Sequence, residues 1–159
     1  MTDGDFWKAF WDLWSRHESR FQGSGIQISG KAAKWHQACS ALLKILEQYQ
    51  SFSAFQLDQL VAKEIDQLHK RKNPMRGAWL SEMLCHYLPE LYPVRNEPVL
   101  IWLSHIKLRD RWGASEGQKY VELAQKLRLA VQKEHPAGAR NLAELDGAIV
   151  QWAVDRGLF

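Results

Sequence analysis

The sequence predicts an all-α fold of about seven helices in one domain, spanning residues 1–159. Apolar side chains recur every three or four residues in seven segments, which is the spacing of one helix face. Capping residues or prolines stand at several of the segment boundaries. An alternating stretch at residues 26–28 is too short for a strand. Apolar residues make up 46% of the chain, enough for a sizeable core.

The first three helices are predicted at residues 3–21, at about residues 31–50, and after Ser53. Three glycines in residues 22–30 form a loop that ends the first helix. Ser29 and Ser53 are the expected N-caps of the second and third helices, since a serine side chain accepts from a first-turn N–H group. The apolar faces contain Phe6, Phe10, Trp14 and Phe21, then Trp35, Cys39, Leu42, Leu43 and Leu46, then Phe55, Leu57, Leu60, Val61, Ile65 and Leu68.

The other four helices are predicted at about residues 76–88, after Asn96, at about residues 116–134, and after Asn141. Asn96 stands two residues before a proline, and a capping side chain followed by proline in the first turn is a strong helix start. Asn141 and Glu144 form a pattern like a capping box. The apolar faces of these four helices contain, in order, Trp79, Leu80, Met83, Leu84 and Tyr87; Val99, Trp102, Leu103 and Ile106; Tyr120, Leu123, Ala124, Leu127 and Val131; and Leu142, Leu145, Ile149 and Trp152.

Composition indicates a cytoplasmic protein. No run of 18 apolar residues is present, so we expect no transmembrane helix. The first residues are acidic and lack the basic start of a signal peptide. Cys39 and Cys85 are too few for a disulfide scaffold, so we interpret both as reduced core thiols.

Few residues are arranged for catalysis. The six histidines lack metal-ligand spacing, and the sequence contains no phosphate-cradling P-loop and no nucleophile elbow. We therefore expect no enzymatic activity, no metal and no cofactor. Glu82 could be a buried carboxylate, but lone acids are usually exposed, so we expect it on a helix surface.

The strongest local signal is a basic loop. Lys70, Arg71, Lys72 and Arg76 lie within seven residues with no acid among them, and a helix begins near Gly77. The N–H groups of a helix N-terminus bind phosphate, and nearby cations add affinity by releasing counterions. The sequence therefore predicts phosphate contacts by these four cations and by the backbone at Gly77. A solvated surface loop is the alternative.

A second basic set follows the fifth helix. Lys107, Arg109 and Arg111 lie there, next to Trp112 and a glycine. An exposed aromatic side chain beside arginines suits nucleic acid, so Arg109, Arg111 and Trp112 are candidate contacts. The other tryptophans fall near apolar faces and are expected to pack in the core.

Several short motifs carry a family resemblance. Gly77 is followed by Ser-Glu-Met-Leu at residues 81–84 and by Tyr-Pro-Val-Arg-Asn at residues 92–96. Leu-Asp at residues 145–146 precedes the aromatic Trp152. This pattern resembles the N-terminal helical domain of McrB-type AAA+ restriction proteins and related defence proteins. The resemblance implies a domain that recognises DNA while hydrolysis and cleavage reside elsewhere.

The segment at about residues 68–103 is also similar to the helix-hairpin-helix core of the DNA glycosylase superfamily. Pro93 and Val94 match the Pro-Val that precedes the catalytic aspartate of that superfamily. Arg95 or Asn96 occupies the aspartate position, and neither can act as a carboxylate base. The resemblance therefore implies the helical scaffold without glycosylase activity.

Together these observations predict a non-enzymatic domain that binds nucleic acid, with duplex DNA as the expected partner, in a prokaryotic restriction or defence system. Other subunits or domains of a defence complex are further expected partners, and no membrane is expected. The alternative is a helical protein-interaction adaptor or a small subunit of a larger complex, which could be RNA-guided.

Overall fold

The structure, a computed structural model, describes residues 32–158. This part of the chain is all-α, with six helices, two short 3-10 turns and no strand. The helix predicted at residues 3–21 and the Ser29 cap lie outside the described residues. The helices are α1 (Ala32–Gln48), α2 (Ala54–Lys70), α3 (Ala78–Tyr87), α4 (Glu97–His105), α5 (Glu116–Glu134) and α6 (Leu142–Asp155), and the 3-10 turns are Pro74–Arg76 and Pro136–Gly138.

Polar side chains cap the helix starts as the sequence predicts. Ser53 accepts from the backbone of Gln56, whose side chain in turn accepts from the Ser53 N–H. Asn96 accepts from Val99 N–H, and Asn141 accepts from the N–H three residues later. A capping box at Ser115, which was not among the predicted helix starts, begins α5. These caps satisfy N–H groups that have no partner within the helix.

The apolar side chains form two connected groups. The first lies between α1, α2, the first 3-10 turn, α3 and one side of α5, and the second lies between α4, α5, α6 and the end of α3. Because α3 contributes to both groups, its residues from Trp79 to Cys85 are buried on every side. Four residues that we expected on apolar faces are exposed, because no other described element covers those positions: Leu43, Phe55, Tyr87 and Ile106.

A buried ion pair ties α2 to α5. Arg128 donates from Nη2 to Asp58 Oδ2 at 2.8 Å and from Nη1 to Asp58 Oδ1 at 3.2 Å. The Tyr92 hydroxyl donates to the same carboxylate at 2.9 Å, and Gln125 donates to it at 3.0 Å. Arg128 also donates to the carbonyl of Leu91. The pair therefore joins two helices and the segment between α3 and α4.

The helices α2 and α5 also touch at the backbone. Gly117 of α5 faces Ala62 of α2, and a Cβ added at Gly117 would lie 2.1 Å from the Ala62 carbonyl oxygen. The Gly117 N–H donates to the Asp66 side chain at 2.9 Å. Only glycine fits this crossing, since a backbone atom cannot move aside as a side chain can.

We expect Gly117→Ala to lower the free energy of unfolding by about 3 kcal/mol, because the methyl group forces the two helices apart. Gly147→Ala is the matched control: Gly147 lies within α6, and nothing stands within 4 Å of an added Cβ. That variant should gain about 0.5–1 kcal/mol from helix propensity. Urea unfolding followed by circular dichroism measures both, and equal effects would show that the crossing is looser than described.

Of the two cysteines expected in the core, Cys85 is buried, whereas Cys39 is partly buried. Cys39 and Cys85 form no disulfide. Burial raises the pKa of the Cys39 thiol to about 11, so this thiol stays protonated and unreactive at neutral pH.

Candidate nucleic-acid interface

The basic loop is held in one conformation by Asn73, which is fully buried. Its side chain accepts from Met75 N–H at 3.0 Å and donates to the Lys34 carbonyl of α1 at 2.7 Å. Lys72 adopts a left-handed backbone with φ of 52°, and its N–H donates to the carbonyl of His69. The loop between α2 and α3 is therefore bonded to α1 at its centre.

Three cations of this loop extend into solvent. Lys70, Arg71 and Lys72 are exposed, and none forms an ion pair with any residue from 34 to 158. Lys34, which was not among the predicted contacts, donates from Nζ to the Lys72 carbonyl at 3.2 Å. It therefore adds a fourth positive charge next to the loop. We call Lys34, Lys70, Arg71 and Lys72 the basic cluster.

Arg76 differs from its neighbours because it is paired within the protein. It donates from Nε to Glu116 Oε2 at 2.6 Å and from Nη2 to Glu116 Oε1 at 3.3 Å. The hydrogen bond from Arg76 lowers the pKa of Glu116. His69 lies 3.2 Å from the same carboxylate. Arg76, which the sequence predicts as a phosphate contact, therefore joins the loop to the start of α5.

Gly77 is the N-cap of α3 and makes no side-chain capping bond. It lines a cleft of about 260 Å³ together with Ser81, Arg76 and Glu116. A Cβ at Gly77 would meet only the Pro74 carbonyl oxygen, at 4.0 Å, so the backbone there is accessible. The expected contact at Gly77 thus lies at a concave surface beside the loop.

Arg95 joins this first cleft to a second. The second cleft also has a volume of about 260 Å³, and its lining includes Lys107, Arg109 and Asp110. Arg95 lines both clefts, lies 3.7 Å from Asp110 and donates its N–H to Ser81 Oγ at 2.8 Å. The two basic segments, which are far apart in sequence, therefore border clefts that share one arginine. In the sequence, the one sign of a role for Arg95 is its position as a basic residue directly before the Asn96 cap.

Trp112 and Arg111 lie on a turn next to the second cleft. The indole of Trp112 is 98% exposed. Arg111 donates from Nε and Nη2 to Glu122 Oε1 of α5, at 2.9 and 2.7 Å. Arg109 is exposed and forms no ion pair within residues 34–158. Of these candidate contacts, Arg111 is paired within the protein, whereas Arg109 and Trp112 face solvent.

Glu82 is not on a helix surface, so that expectation was wrong. Its exposed fraction is 1%, because α3 is covered by both apolar groups. Burial, and secondarily the negative charge of the buried Asp146, raises the pKa of Glu82 to about 8, against a smaller opposing effect of a hydrogen bond from Asn96. Glu82 is therefore mostly protonated at neutral pH.

Within residues 34–158, no group of three histidine, cysteine, aspartate or glutamate side chains is placed to bind a metal. No helix in the described part has the length and apolar character needed to cross a bilayer. Comparison of the chain with protein-family models, curated proteins and solved structures gives no significant match. The assignment of function therefore rests on the geometry of this surface.

Proposed function

We propose that the protein binds duplex DNA through its phosphate backbone and performs no catalysis itself. The observation that carries the proposal is the basic cluster: Lys34, Lys70, Arg71 and Lys72 have no acidic partner within residues 34–158. Arg109 adds a further exposed cation beside the second cleft. Unpaired cations on a fixed surface favour a polyanion, because each phosphate contact releases a condensed counterion.

The way the loop is held supports the same function. Asn73 fixes it to α1, and the pair between Arg76 and Glu116 fixes it to α5. Because the backbone is already ordered, binding need not order it, and less affinity is lost. Arg76 and Arg111 act in this proposal by placing the loops, whereas Lys70, Arg71, Lys72 and Arg109 contact phosphates.

The biological setting in this proposal is taken from the resemblance of the motifs at residues 77–96 to McrB-type restriction proteins. We propose that this domain recognises DNA for a prokaryotic restriction or defence system, with hydrolysis and cleavage performed by other domains or subunits. In this proposal the segment at about residues 68–103 acts as a degenerate helix-hairpin-helix.

Neutralising the three loop cations of the basic cluster tests the proposal. We expect Lys70→Gln/Arg71→Gln/Lys72→Gln to weaken binding to every duplex and to lower the log–log salt slope by about 2–3 units, one phosphate contact per charge. Fluorescence anisotropy at several salt concentrations measures affinity and slope. Stability should change by less than about 0.5 kcal/mol per site, because the three side chains are exposed.

Lys133→Gln provides the matched control. Lys133 is exposed in the last turn of α5, at the end opposite the Glu116 contact with the loop. This variant loses one positive charge outside the loop, against three in the triple variant, so it measures the effect of net charge per site, and we expect a small one. An unchanged salt slope in a folded triple variant would exclude Lys70, Arg71 and Lys72 as DNA contacts and overturn the proposal.

The second candidate function is a helical protein-interaction adaptor or a small subunit of a larger complex, and one observation favours it. Tyr49, Phe52 and Phe55 lie within seven residues at the corner between α1 and α2, and all three are exposed. Neighbouring exposed aromatic side chains are typical of protein-binding surfaces. If the wild-type protein binds no nucleic acid, an adaptor or small subunit becomes the better proposal, and Phe55→Ala should then weaken assembly.

A further inference from the structure

Trp112 occupies the outermost position of a closed turn. The Ala114 N–H donates to the Arg111 carbonyl at 3.3 Å, so Trp112 and Gly113 are the two central residues. Gly113 has a φ of 77°, the left-handed value that a type II turn requires at its third residue. Trp112 therefore stands at the second residue, where its indole extends away from the body of the protein.

This turn is joined to the helices on both sides. The bonds from Arg111 to Glu122 connect it to α5. On the other side, Leu108 N–H donates to the carbonyl of Leu103 at 3.0 Å, and Lys107 takes a left-handed backbone, so the end of α4 is also closed. The indole is thus held out by an anchored loop and is almost fully exposed to water. Because it buries no apolar surface, the Trp112 side chain adds no stability to the folded protein.

The charges around the turn indicate what covers the indole. A small cleft next to the turn, which it reaches through Arg111, is also lined by Arg109, Lys119 and Lys126, with Asp110 and Glu122 as its acidic residues. Arg111 is paired with Glu122, which leaves an excess of positive charge around an exposed ring. An apolar protein surface would have to desolvate these cations, whereas a nucleotide offers both an anionic phosphate and an aromatic face.

We propose that Trp112 stacks on an unpaired base, so that the protein prefers duplex DNA carrying a short single-stranded gap over continuous duplex. The inference rests on the proposed DNA binding and adds a substrate class to it. Bases inside a continuous duplex are already stacked on both faces and are costly to expose. In a gap, the indole can reach a base face while the neighbouring cations hold the backbone on either side.

Anisotropy with two labelled duplexes of equal length, one continuous and one with a four-nucleotide gap, tests the proposal. We expect wild type to bind the gapped duplex about tenfold more tightly, within the range that one stacked base supplies. Trp112→Ala should remove that preference, whereas Trp112→Phe should keep most of it. Phe55→Ala removes another exposed ring, far along the chain, and should leave the preference unchanged.

The outcomes separate this inference from the proposed function. Equal binding of both duplexes by wild type would overturn the stacking role and leave DNA binding intact. The stacking role would also be overturned if Trp112→Ala weakened both complexes by the same factor or changed neither, because the indole would then make no contact specific to an unpaired base. Absence of binding to either duplex would overturn both proposals and favour a protein partner for Trp112. Thermal melts of each variant check that the fold is retained.

Discussion

Glu82→Gln should remove the fall in stability that the buried Glu82 carboxyl causes between about pH 4.5 and 8. The pKa of Glu82 rises from an ordinary 4.5 to about 8 on folding. The folded state therefore binds more protons than the unfolded state in this window, and stability is lost as the pH rises through it. The wild-type free energy of unfolding should fall by up to ~1.4 kcal/mol per pH unit, roughly 5 kcal/mol in all.

The glutamine variant keeps the size and the hydrogen bond of the protonated acid but cannot ionise. We expect it to match wild type near pH 5 and to exceed it by several kcal/mol at pH 9. Glu90→Gln is the control, since Glu90 is exposed and its replacement should leave the pH dependence as in wild type. Urea unfolding at pH 5, 7 and 9 measures the three proteins, and parallel curves for wild type and Glu82→Gln would contradict the prediction.

Arg128→Met should lower the free energy of unfolding by about 3–5 kcal/mol, the usual effect of leaving one partner of a buried ion pair without the other. The Asp58 side chain is 5% exposed, so water cannot replace the guanidinium. Tyr92 and Gln125 would still donate to the carboxylate, but neither carries a charge to balance it. The lower free energy of unfolding therefore reflects the uncompensated charge of buried Asp58 more than the net contribution of the ion pair to stability.

Arg140→Met is the matched control. Arg140 pairs with Glu144 at 2.7 Å, the same kind of contact, but its side chain is 82% exposed. Exposed pairs contribute about 0–1 kcal/mol, so this variant should unfold almost as wild type does. A triple variant, Asp58→Leu/Tyr92→Phe/Arg128→Met, removes the charges and the hydroxyl together and should recover much of the lost stability. Equal losses for Arg128→Met and Arg140→Met would show that the buried pair is hydrated.

Local features of the fold could be predicted from the sequence. Asn96 with its following proline, Ser53 and Asn141 all mark observed helix starts, because capping depends on residues within one turn. The predicted bounds of residues 116–134 for α5 agree with the structure. The burial of Glu82 and the exposure of Phe55 could not be predicted, because they depend on which helices cover each face.

The same distinction applies to the candidate interface. The exposure of Lys70, Arg71 and Lys72 follows from a basic run at a helix end, and the sequence indicates it directly. The pairing of Arg76 with Glu116 joins residues 40 positions apart, and no local pattern reports it. Arg95 was likewise not predicted as an interface residue, because its place between two clefts depends on how α3, α4 and α5 pack.

The pair between Asp58 and Arg128 spans 70 positions of the chain, which has a consequence during synthesis. A ribosome adds about 5–20 residues per second, so α2 leaves it several seconds before α5 is complete. During that interval Leu57, Val61 and Ile65 of α2 lack the part of their apolar group that α5 later contributes. We therefore expect the nascent chain to expose apolar surface of α2 until its second half has been synthesised, which favours transient binding by chaperones that hold such surfaces.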